Sequence, residues 1–334
     1  MLISWSKISV AELLNGIAYR ERQLNMFQIF YKDDGNLRQL RNIQPGAWVN
    51  ITAPSGAEVE AISKLLNIPL SMLTDPLDED ERSRIEIEDD YLLILLRVPY
   101  FVGEEEVPFK TVPLGIIYGK DFVVTVGARN PAIIQDFIQG RVKNFVTTNR
   151  ERFIFQIFYR AALLFLNYLK EINIRSHEIE TELQHAVSNN ELIRLQLLEK
   201  SLVYFTTSLK ADEIMIGRLA NIRQFKVSED DEDLFADVSV EYRQALEMAN
   251  VYSNILNGMM NTFASIISNN LNMVMRILTS LTVILMLPTL LTSMYGMNVE
   301  LPMKENPYAF YIIMGVSLFI SVGAIVMMIK KRWI

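Results

Sequence analysis

The sequence predicts an α+β membrane protein. An N-terminal α/β domain and a helical hairpin precede a very long helix, which continues into the first of two C-terminal transmembrane helices. Three observations predict this fold class. Strand-like runs alternate with short helical periods over the first 145 residues, apolar residues then repeat at helical spacing up to about residue 222, and two long uncharged segments close the chain of 334 residues.

The first part of the chain is predicted to form a mixed α/β domain. Its strand-like runs are Asn25 to Tyr31, Ala47 to Thr52, Arg84 to Glu88, Tyr91 to Val98, Thr111 to Tyr118 and Phe122 to Val126. Two adjacent pairs are typical of hairpins, one turning at Asp89 and Asp90 and one at Gly119 and Lys120, a Gly-X pair that two-residue turns favour. Helical periodicity begins near Glu58 and again after Pro131.

Helices are predicted for the rest of the chain. Apolar residues at helical spacing over 151–187 and 192–222 indicate an antiparallel hairpin. From about Asp231 to Met294 no proline occurs before Pro288, which predicts one helix of about 64 residues and about 96 Å at about 1.5 Å per residue. A helix of this length needs neighbours, most simply copies of itself around an axis.

The predicted division of the chain follows from these boundaries. It comprises an α/β domain over residues 1–147, the hairpin over 148–226, a stalk helix and first transmembrane helix over 231–294 with its membrane part at about 274–294, an external loop over 295–306, a second transmembrane helix over 307–329 and a basic tail over 330–334.

The two uncharged segments are predicted to span a membrane. Ile277 to Val299 and Asn306 to Ile329 contain 23 and 24 residues without a charge, and a bilayer core needs about 20 apolar residues in a helix. The alternative is a pair of buried core helices. Arg276 precedes the first segment and a Lys-Lys-Arg run at 330–332 follows the second, which predicts that both termini and the acidic domain lie in the cytoplasm.

Composition excludes several classes of function. The last 64 residues carry a net charge of +3 and the first 270 a net charge of −10, so no basic surface for nucleic acid is predicted. The absence of cysteine excludes disulfides, thiolate zinc sites and cysteine nucleophiles. His177 and His185 stand apart from any HExxH motif, nucleophile elbow or phosphate-binding glycine loop, which argues against an enzyme.

A polar stripe runs along the long helix and enters the first transmembrane segment. Its steps of three and four residues average 3.6, which places eleven residues on one line: Asn250, Asn254, Asn257, Asn261, Ser265, Ser268, Asn272, Met275, Thr279, Thr282 and Met286. Two bland interpretations of this stripe remain open. Its first half could be a solvated face, and its membrane half could pack against another helix, since a threonine can also bond the carbonyl one turn back. The favoured interpretation is a lumen lined by one stripe per subunit, with Met275, Leu278 and Met286 as apolar rings that gate by losing water.

The oxygens along the stripe are neutral, which suits a cation that keeps its water shell. Mg²⁺ is the cation most reluctant to dehydrate. Physical chemistry alone therefore predicts a pathway for a cation, with a hydrated divalent ion as one candidate.

Tyr295-Gly296-Met297-Asn298 stands at the outer end of the first transmembrane segment, and here the sequence resembles the CorA family of magnesium transport proteins. The Gly-Met-Asn triplet is that family's signature, and its context matches as well, since two spans close the chain and a long helix precedes them. The resemblance is best at residue level from about Asp237 to the end.

The resemblance implies a funnel-shaped homopentamer in a bacterial inner membrane that admits Mg²⁺, with Co²⁺ as a further substrate. It implies a selectivity filter at Gly296, Met297 and Asn298, and narrow pore positions at Asn272, Met275, Leu278 and Met286. It also implies inhibition by intracellular Mg²⁺ bound between neighbouring subunits. Asp237 matches the stalk ligand of that site, and its partner is expected among Glu104, Glu105 and Glu106.

Several departures from the family pattern keep alternatives open. Asn261 stands where many relatives have an acidic ring, and the external loop after the triplet reads Val299-Glu300-Leu301-Pro302 rather than Met-Pro-Glu. Transport of Co²⁺, Ni²⁺ or Zn²⁺, including efflux, is one alternative, although Met297 favours the magnesium branch of the family. A membrane-anchored sensor of a soluble ligand is another.

Overall fold

The structure is a computed structural model that describes residues 27–103, 106–185, 189–225, 228–299, 301–302, 306–331 and 333, without the side chains of residues 184 and 185. The chain forms two compact units, one up to Gly258 and one from Met259.

A seven-stranded sheet forms the centre of the first unit. Its strands are β1 (Phe27–Tyr31), β2 (Arg38–Leu40), β3 (Ala47–Thr52), β4 (Arg84–Glu88), β5 (Tyr91–Phe101), β6 (Phe109–Tyr118) and β7 (Phe122–Gly127). The order across the sheet is β2-β1-β3-β7-β6-β5-β4. Only β3 and β7 pair in parallel, and the other neighbours pair antiparallel. The sheet is therefore mixed, as the sequence predicts.

Helices cover both faces of the sheet. Helices α1 (Gly56–Leu66) and α2 (Leu70–Thr74) bury Val59, Ile62 and Met72 in one cluster with inward side chains of β3, β5 and β7. On the opposite face, Trp48 of β3 makes edge contacts with Phe137 of helix α3 (Ala132–Ile138) and with Phe153, at centroid distances of 6.2 and 5.1 Å. Strands β3, β5, β6 and β7 are buried on both sides, which explains their nearly continuous apolar runs.

Two details of the strand prediction are wrong. Strand β2 was not predicted, because it is only three residues long and two of them are exposed. Strand β5 continues past the predicted Val98 to Phe101 and includes Pro99, and β6 begins at Phe109, two residues before the predicted Thr111, with Pro113 inside it as predicted. Each proline lies beyond the end of the next strand, since β4 pairs only with Tyr91–Leu95 and β7 only with Gly115–Tyr118. A proline has no N–H to donate, so it is tolerated in a strand where no neighbouring strand would accept that hydrogen bond.

The second predicted hairpin is correct, but its turn residues are not. The Gly119 N–H donates to the Phe122 carbonyl at 3.1 Å, so the two central residues are Lys120 and Asp121. A Cβ at position 119 would lie 3.1 Å from Tyr91 Cε1 and 3.3 Å from Phe122 Cε2. Gly119 therefore allows close packing of two aromatic rings and does not supply the turn.

The predicted helical hairpin consists of α4 (Arg150–His185) and α5 (Asn189–Leu219). Its inner face is aromatic, and Phe165 and Phe205 meet edge to face at 5.0 Å between ring centroids. Phe205 also contacts Phe109 of β6 at 6.3 Å, which joins the hairpin to the sheet.

Helix α6 (Glu232–Tyr295) is a single helix of 64 residues, as the proline distribution predicts. Its start is fixed by Asp231, which is 1% exposed and accepts hydrogen bonds from Arg152 Nη1 and Ser228 Oγ, each at 2.7 Å. Pro288 lies inside the helix and has no N–H for the carbonyl of Ile284.

The first part of α6 packs against the hairpin along one face. Val238, Tyr242, Ala245, Ala249 and Leu256 are buried and recur at steps of three, four and seven residues. Phe235 contacts Phe155 at 5.3 Å and Tyr242 contacts Phe165 at 6.5 Å, both between ring centroids.

The second unit contains the end of α6 and helix α7 (Ala309–Lys330). Both helices are long and apolar enough to cross a membrane, with mean hydropathies of 1.9 and 2.6 in their most apolar windows, of which 6% and 17% are buried. Core helices of a soluble protein would be mostly buried, so the structure speaks against that alternative. Ser280 of α6 and Ser317, Ser321 and Met328 of α7 are buried and mark the face on which the two helices pack.

We expect Gly115→Ala to destabilise the protein by about 1–3 kcal/mol, because the new Cβ would lie 2.8 Å from Pro76 Cβ and 2.9 Å from Val126 Cγ1. The matched control is Gly217→Ala, at a helical position with nothing within 4 Å, which should be neutral or stabilising by about 0.5–1 kcal/mol. Thermal unfolding in detergent measures both variants, and equal midpoints for the two would contradict the packing at Gly115.

Candidate functional site

All eleven residues of the polar stripe on α6 are exposed in the single chain. Each residue of a helix turns by about 100°. The stripe therefore lies roughly a third of a turn away from the buried face on the first part of α6. The hairpin therefore leaves the whole line of amides and hydroxyls uncovered.

The chain's own apolar helix α7 does not cover the stripe either. In this part of α6 the buried residue is Ser280, and Ile284, Leu287 and Leu291 are half-buried at the following helical steps. Thr279 points roughly a third of a turn away from that face and Thr282 nearly half a turn, and both are exposed. Packing against α7 of the same chain is thus excluded as the reason for the polar residues.

The hydroxyls and amides of the stripe differ in how they are satisfied. Thr282 Oγ1 donates to the Leu278 carbonyl at 2.8 Å, and Ser265 Oγ donates to the Asn261 carbonyl at 2.9 Å. Among the described residues, the side-chain amides of Asn254, Asn261 and Asn272 have no hydrogen-bond partner. The hydroxyls can tolerate an apolar environment, whereas the amides require water or another polar partner.

Apolar residues interrupt the stripe in the membrane segment. Met275, Leu278 and Met286 are exposed by 51%, 54% and 66%. They lie on the stripe or directly beside it, so a surface that covers the stripe also meets these three side chains.

The Gly-Met-Asn triplet begins directly after the last residue of α6. The Gly296 N–H donates to the carbonyls of Thr292 and Ser293 at 3.0 and 3.2 Å, and the Met297 N–H to the Met294 carbonyl at 3.4 Å. The side chain of Asn298 is exposed. The carbonyl end of a helix carries partial negative charge, so this position favours a cation.

No contact among the described residues explains the glycine of the triplet. A Cβ at Gly296 would meet only the carbonyl oxygens of Ser293 and Thr292, both at 3.5 Å, which is ordinary contact. Its φ also lies outside the left-handed region that favours glycine.

The predicted regulatory residues are only partly described. Asp237 is exposed on α6 and has no hydrogen bond or ion pair among the described residues, whereas Glu104 and Glu105 lie outside those residues. Glu106 pairs with Lys110 at 2.8 Å, and this hydrogen bond lowers the pKa of the Glu106 carboxyl. Within the described part of the chain, no three acidic or histidine side chains gather as a metal site.

The two histidines form no joint site that the structure describes. His177 is exposed, and its Nδ1 lies 3.3 Å from Glu180 Oε2 on the next turn. The side chain of His185 lies outside the described residues.

Sequence reasoning missed a buried polar pair in the first unit. Asp212 of α5 and Tyr242 of α6 are both 0% exposed. The available signal was the helical spacing, because Asp212 falls in line with Phe205, Leu209 and Ile216 on the apolar face of its helix.

Comparison with known proteins gives consistent results. A family model described as CorA-like Mg²⁺ transporter protein matches residues 44–331. The cobalt/magnesium transport protein CorA of Methanocaldococcus jannaschii is 27% identical over 297 residues, which are 86% of this chain and 91% of that protein. The cobalt/magnesium transport protein CorA of Thermotoga maritima is 22% identical over 301 residues, 88% of this chain and 85% of that protein.

A solved structure shares the fold. The complete structure of the CorA magnesium transporter from Methanocaldococcus jannaschii superposes with a TM-score of 0.79 at 24% identity, and the match covers 92% of this chain and 99% of that one. An N-terminal α/β domain, a long helix and a C-terminal helix are thus common to both.

We expect a cysteine at the stripe to face water. Because the chain has no cysteine, Thr282→Cys and Leu281→Cys each introduce a single thiol into the apolar segment of α6. Thr282 lies on the stripe, whereas Leu281 is exposed on an apolar face away from it. Thiols react as thiolates, which form in water, so a membrane-impermeant thiol reagent should modify position 282 about tenfold faster or more. Equal rates at the two positions would mean that the stripe faces lipid.

Proposed function

Because the chain belongs to the family of CorA-like Mg²⁺ transporter proteins, we propose that it carries hydrated divalent cations, Mg²⁺ above all, through a membrane. The observation that carries this proposal is the exposure of the entire polar stripe of α6, which neither the hairpin nor α7 covers. Co²⁺ is the second proposed substrate, since two relatives are named cobalt/magnesium transport proteins.

The proposed pathway lies between copies of the chain. Identical subunits around one axis place identical stripes opposite each other, so that the unpaired amides of Asn254, Asn261 and Asn272 line a common lumen. A funnel-shaped homopentamer is the assembly we propose from the family resemblance. This arrangement would also explain why position 296 is a glycine, because a residue without a side chain lets five backbones approach one ion closely.

The proposed selectivity filter is the Gly-Met-Asn triplet. Five copies of the Asn298 amide and the Gly296 carbonyl would bind the ion through its water, at the helix ends where partial negative charge collects. Neutral oxygens suit Mg²⁺, which dehydrates reluctantly, whereas a ring of carboxylates would hold the ion too firmly to release it.

The proposed gate consists of the apolar residues in the membrane part of the stripe. Rings of Met275, Leu278 and Met286 exclude water when they are close together and admit a hydrated ion when the helices separate. An interior-negative potential contributes about 2.3 kcal/mol per charge per 100 mV, or about 4.6 kcal/mol for a divalent ion, so influx needs no ATP.

The proposed location is a bacterial inner membrane with both termini in the cytoplasm. Arg276 lies at one end of the first span, and Lys330 and Lys331 lie at the corresponding end of the second. Positive residues collect on the cytoplasmic side, so the triplet at the opposite end of the span would face outward.

The proposed regulatory site also lies between subunits. Asp237 is exposed and unpaired among the described residues, and a second ligand would come from Glu104 or Glu105 of a neighbouring subunit. Intracellular Mg²⁺ bound there would favour the closed state, and its loss would free the subunits to move.

Transport of Ni²⁺ or Zn²⁺, including efflux, remains the alternative within the same class, and a membrane-anchored sensor is the alternative from another class. The family favours transport, and Met297 favours Mg²⁺. Metal-resolved flux measurements in liposomes separate these alternatives, because a sensor gives no flux and a zinc carrier prefers Zn²⁺.

We expect Asn298→Ala to reduce Mg²⁺ uptake into liposomes by about tenfold or more, because the filter loses its side-chain oxygens. The control is Asn270→Ala, which removes an exposed amide of α6 that lies off the stripe, and it should transport normally. Unchanged uptake by Asn298→Ala would remove the triplet from the pathway.

We expect Mg²⁺ to protect the soluble part of the wild-type protein from protease and to protect Asp237→Asn less, because the variant lacks a charged ligand. Glu232→Gln neutralises another exposed acidic residue of α6 and should behave like the wild type. If Mg²⁺ protects all three proteins equally, Asp237 is not a ligand.

A further inference from the structure

A buried carboxyl group connects three elements of the first unit. Asp212 of α5 is fully buried, and its Oδ1 accepts hydrogen bonds from Ser83 Oγ at 2.5 Å and from the backbone N–H of Arg97 in β5 at 3.1 Å. Its Oδ2 has no hydrogen-bond partner among the described residues. An ionised carboxylate offers about four acceptor sites, so half of this group is unsatisfied.

The nearest cation does not form an ion pair with this carboxyl group. The guanidinium of Arg97 donates to Thr111 Oγ1 at 3.0 Å, to the Thr111 carbonyl at 2.6 Å and to the Glu79 carbonyl at 3.0 Å. Arg97 therefore acts on Asp212 through its backbone N–H and through its charge at a distance. A buried carboxylate without a hydrogen-bonded cation is costly.

A second unsatisfied group lies in the same part of the interior. Tyr242 of α6 is fully buried, and its Oη has no hydrogen-bond partner among the described residues. Its ring packs against Phe165 of α4. The adjacent residues Arg243 and Glu213 form an ion pair, with 3.6 Å between Nε and Oε1, which brings this part of α6 beside the part of α5 that carries Asp212. Each of the two groups could supply what the other lacks, directly or through one buried water.

We propose that Asp212 and Tyr242 form a proton-operated latch between α5 and α6. With Asp212 protonated, the pair is neutral, and the two helices pack closely. Loss of the proton leaves a buried negative charge that only Ser83, one backbone N–H and the Tyr242 hydroxyl can solvate, so α6 is held less firmly. The latch concerns helix packing alone and does not depend on which ion the protein carries.

The titration of Asp212 supports this proposal. Burial raises the pKa of its carboxyl to about 7, against the opposing effects of the hydrogen bonds from Ser83 and the Arg97 N–H and of the Arg97 charge. Because the folded-state pKa lies above the ordinary value of 3.8, the protonated carboxyl contributes stability that is fully present below that value and lost as the pH rises towards 7. As the pH rises from 3.8 to about 7, the packing between α5 and α6 therefore becomes less stable.

Charged and polar groups face Asp212 from each of the elements packed around it. From β5 it faces Arg97, which in turn interacts with Glu79, Asp80 and Tyr204. From α6 it faces Tyr242, whose pKa is raised well above its ordinary value by burial and by the charge of Asp212. Ser83, which precedes β4, offers a neutral hydroxyl, as do Thr111 of β6 and Ser208 one turn earlier on α5, which bond each other at 2.8 Å. Helix α4 contributes the apolar ring of Phe165.

Infrared titration of the full chain in detergent tests the pairing. The wild type should show the carbonyl band of a protonated carboxyl that disappears near pH 7, and Asp212→Asn should lack that band. Tyr242→Phe keeps the ring contact with Phe165 but removes the hydroxyl, so the ionised form loses a donor and the midpoint should move to higher pH. A midpoint that does not move in Tyr242→Phe, or a band that persists in Asp212→Asn, would overturn the pairing.

Thermal unfolding across the same pH range tests the latch. The wild-type midpoint should fall as the pH rises towards 7, relative to Asp212→Asn, whose side chain is neutral at every pH. Parallel pH profiles for the two proteins would overturn the proposal. If Asp212→Asn does not fold, Tyr242→Phe provides the test instead. The unfolding midpoint of this variant should stop falling at a higher pH than that of the wild type, and identical pH profiles would overturn the proposal.

Discussion

The structure depends on one geometric constraint, the 3.6-residue period of helix α6. Along 64 residues this period has to provide a buried face for the hairpin, a second face for α7 and a polar line that neither of them covers. Val238 and Ala249 belong to the first face, Ser280 to the second and Asn272 to the polar line. No proline interrupts the helix before Pro288, so the same helical period applies on both sides of residue 258.

The fold was largely predictable because its elements carry strong patterns. Strands such as Ala47–Thr52 are buried on both sides and therefore appear as continuous apolar runs. The errors occurred where tertiary context overrides local preference. Pro99 is accepted in β5 because the neighbouring strand β4 ends before it reaches this residue, and glycine is needed at position 119 for the packing of the Tyr91 and Phe122 rings and not for the turn. One-dimensional patterns carry no information about where a neighbouring strand stops.

The candidate site was predictable to the extent that it follows helical spacing. The stripe and the triplet could be located from sequence because their residues lie on one helix and at its end. Asp212 could have been noticed as a charged residue on an apolar face, but its two donors come from Ser83 and Arg97, more than a hundred residues earlier in the chain. The proposed regulatory and filter sites are hard to locate from sequence for another reason: their ligands would come from several copies of the chain and not from one.

The close contact between Gly115 and Pro76 also limits which substitutions could compensate for each other. The proline ring occupies the space that any side chain on Gly115 would need, and Val126 closes the other side. A methyl group at position 115 would therefore have to displace both the Pro76 ring and the Val126 side chain, so a smaller residue at position 76 alone would not make room for it. Rescue of a Gly115 substitution requires changes on both sides of the sheet strand at once.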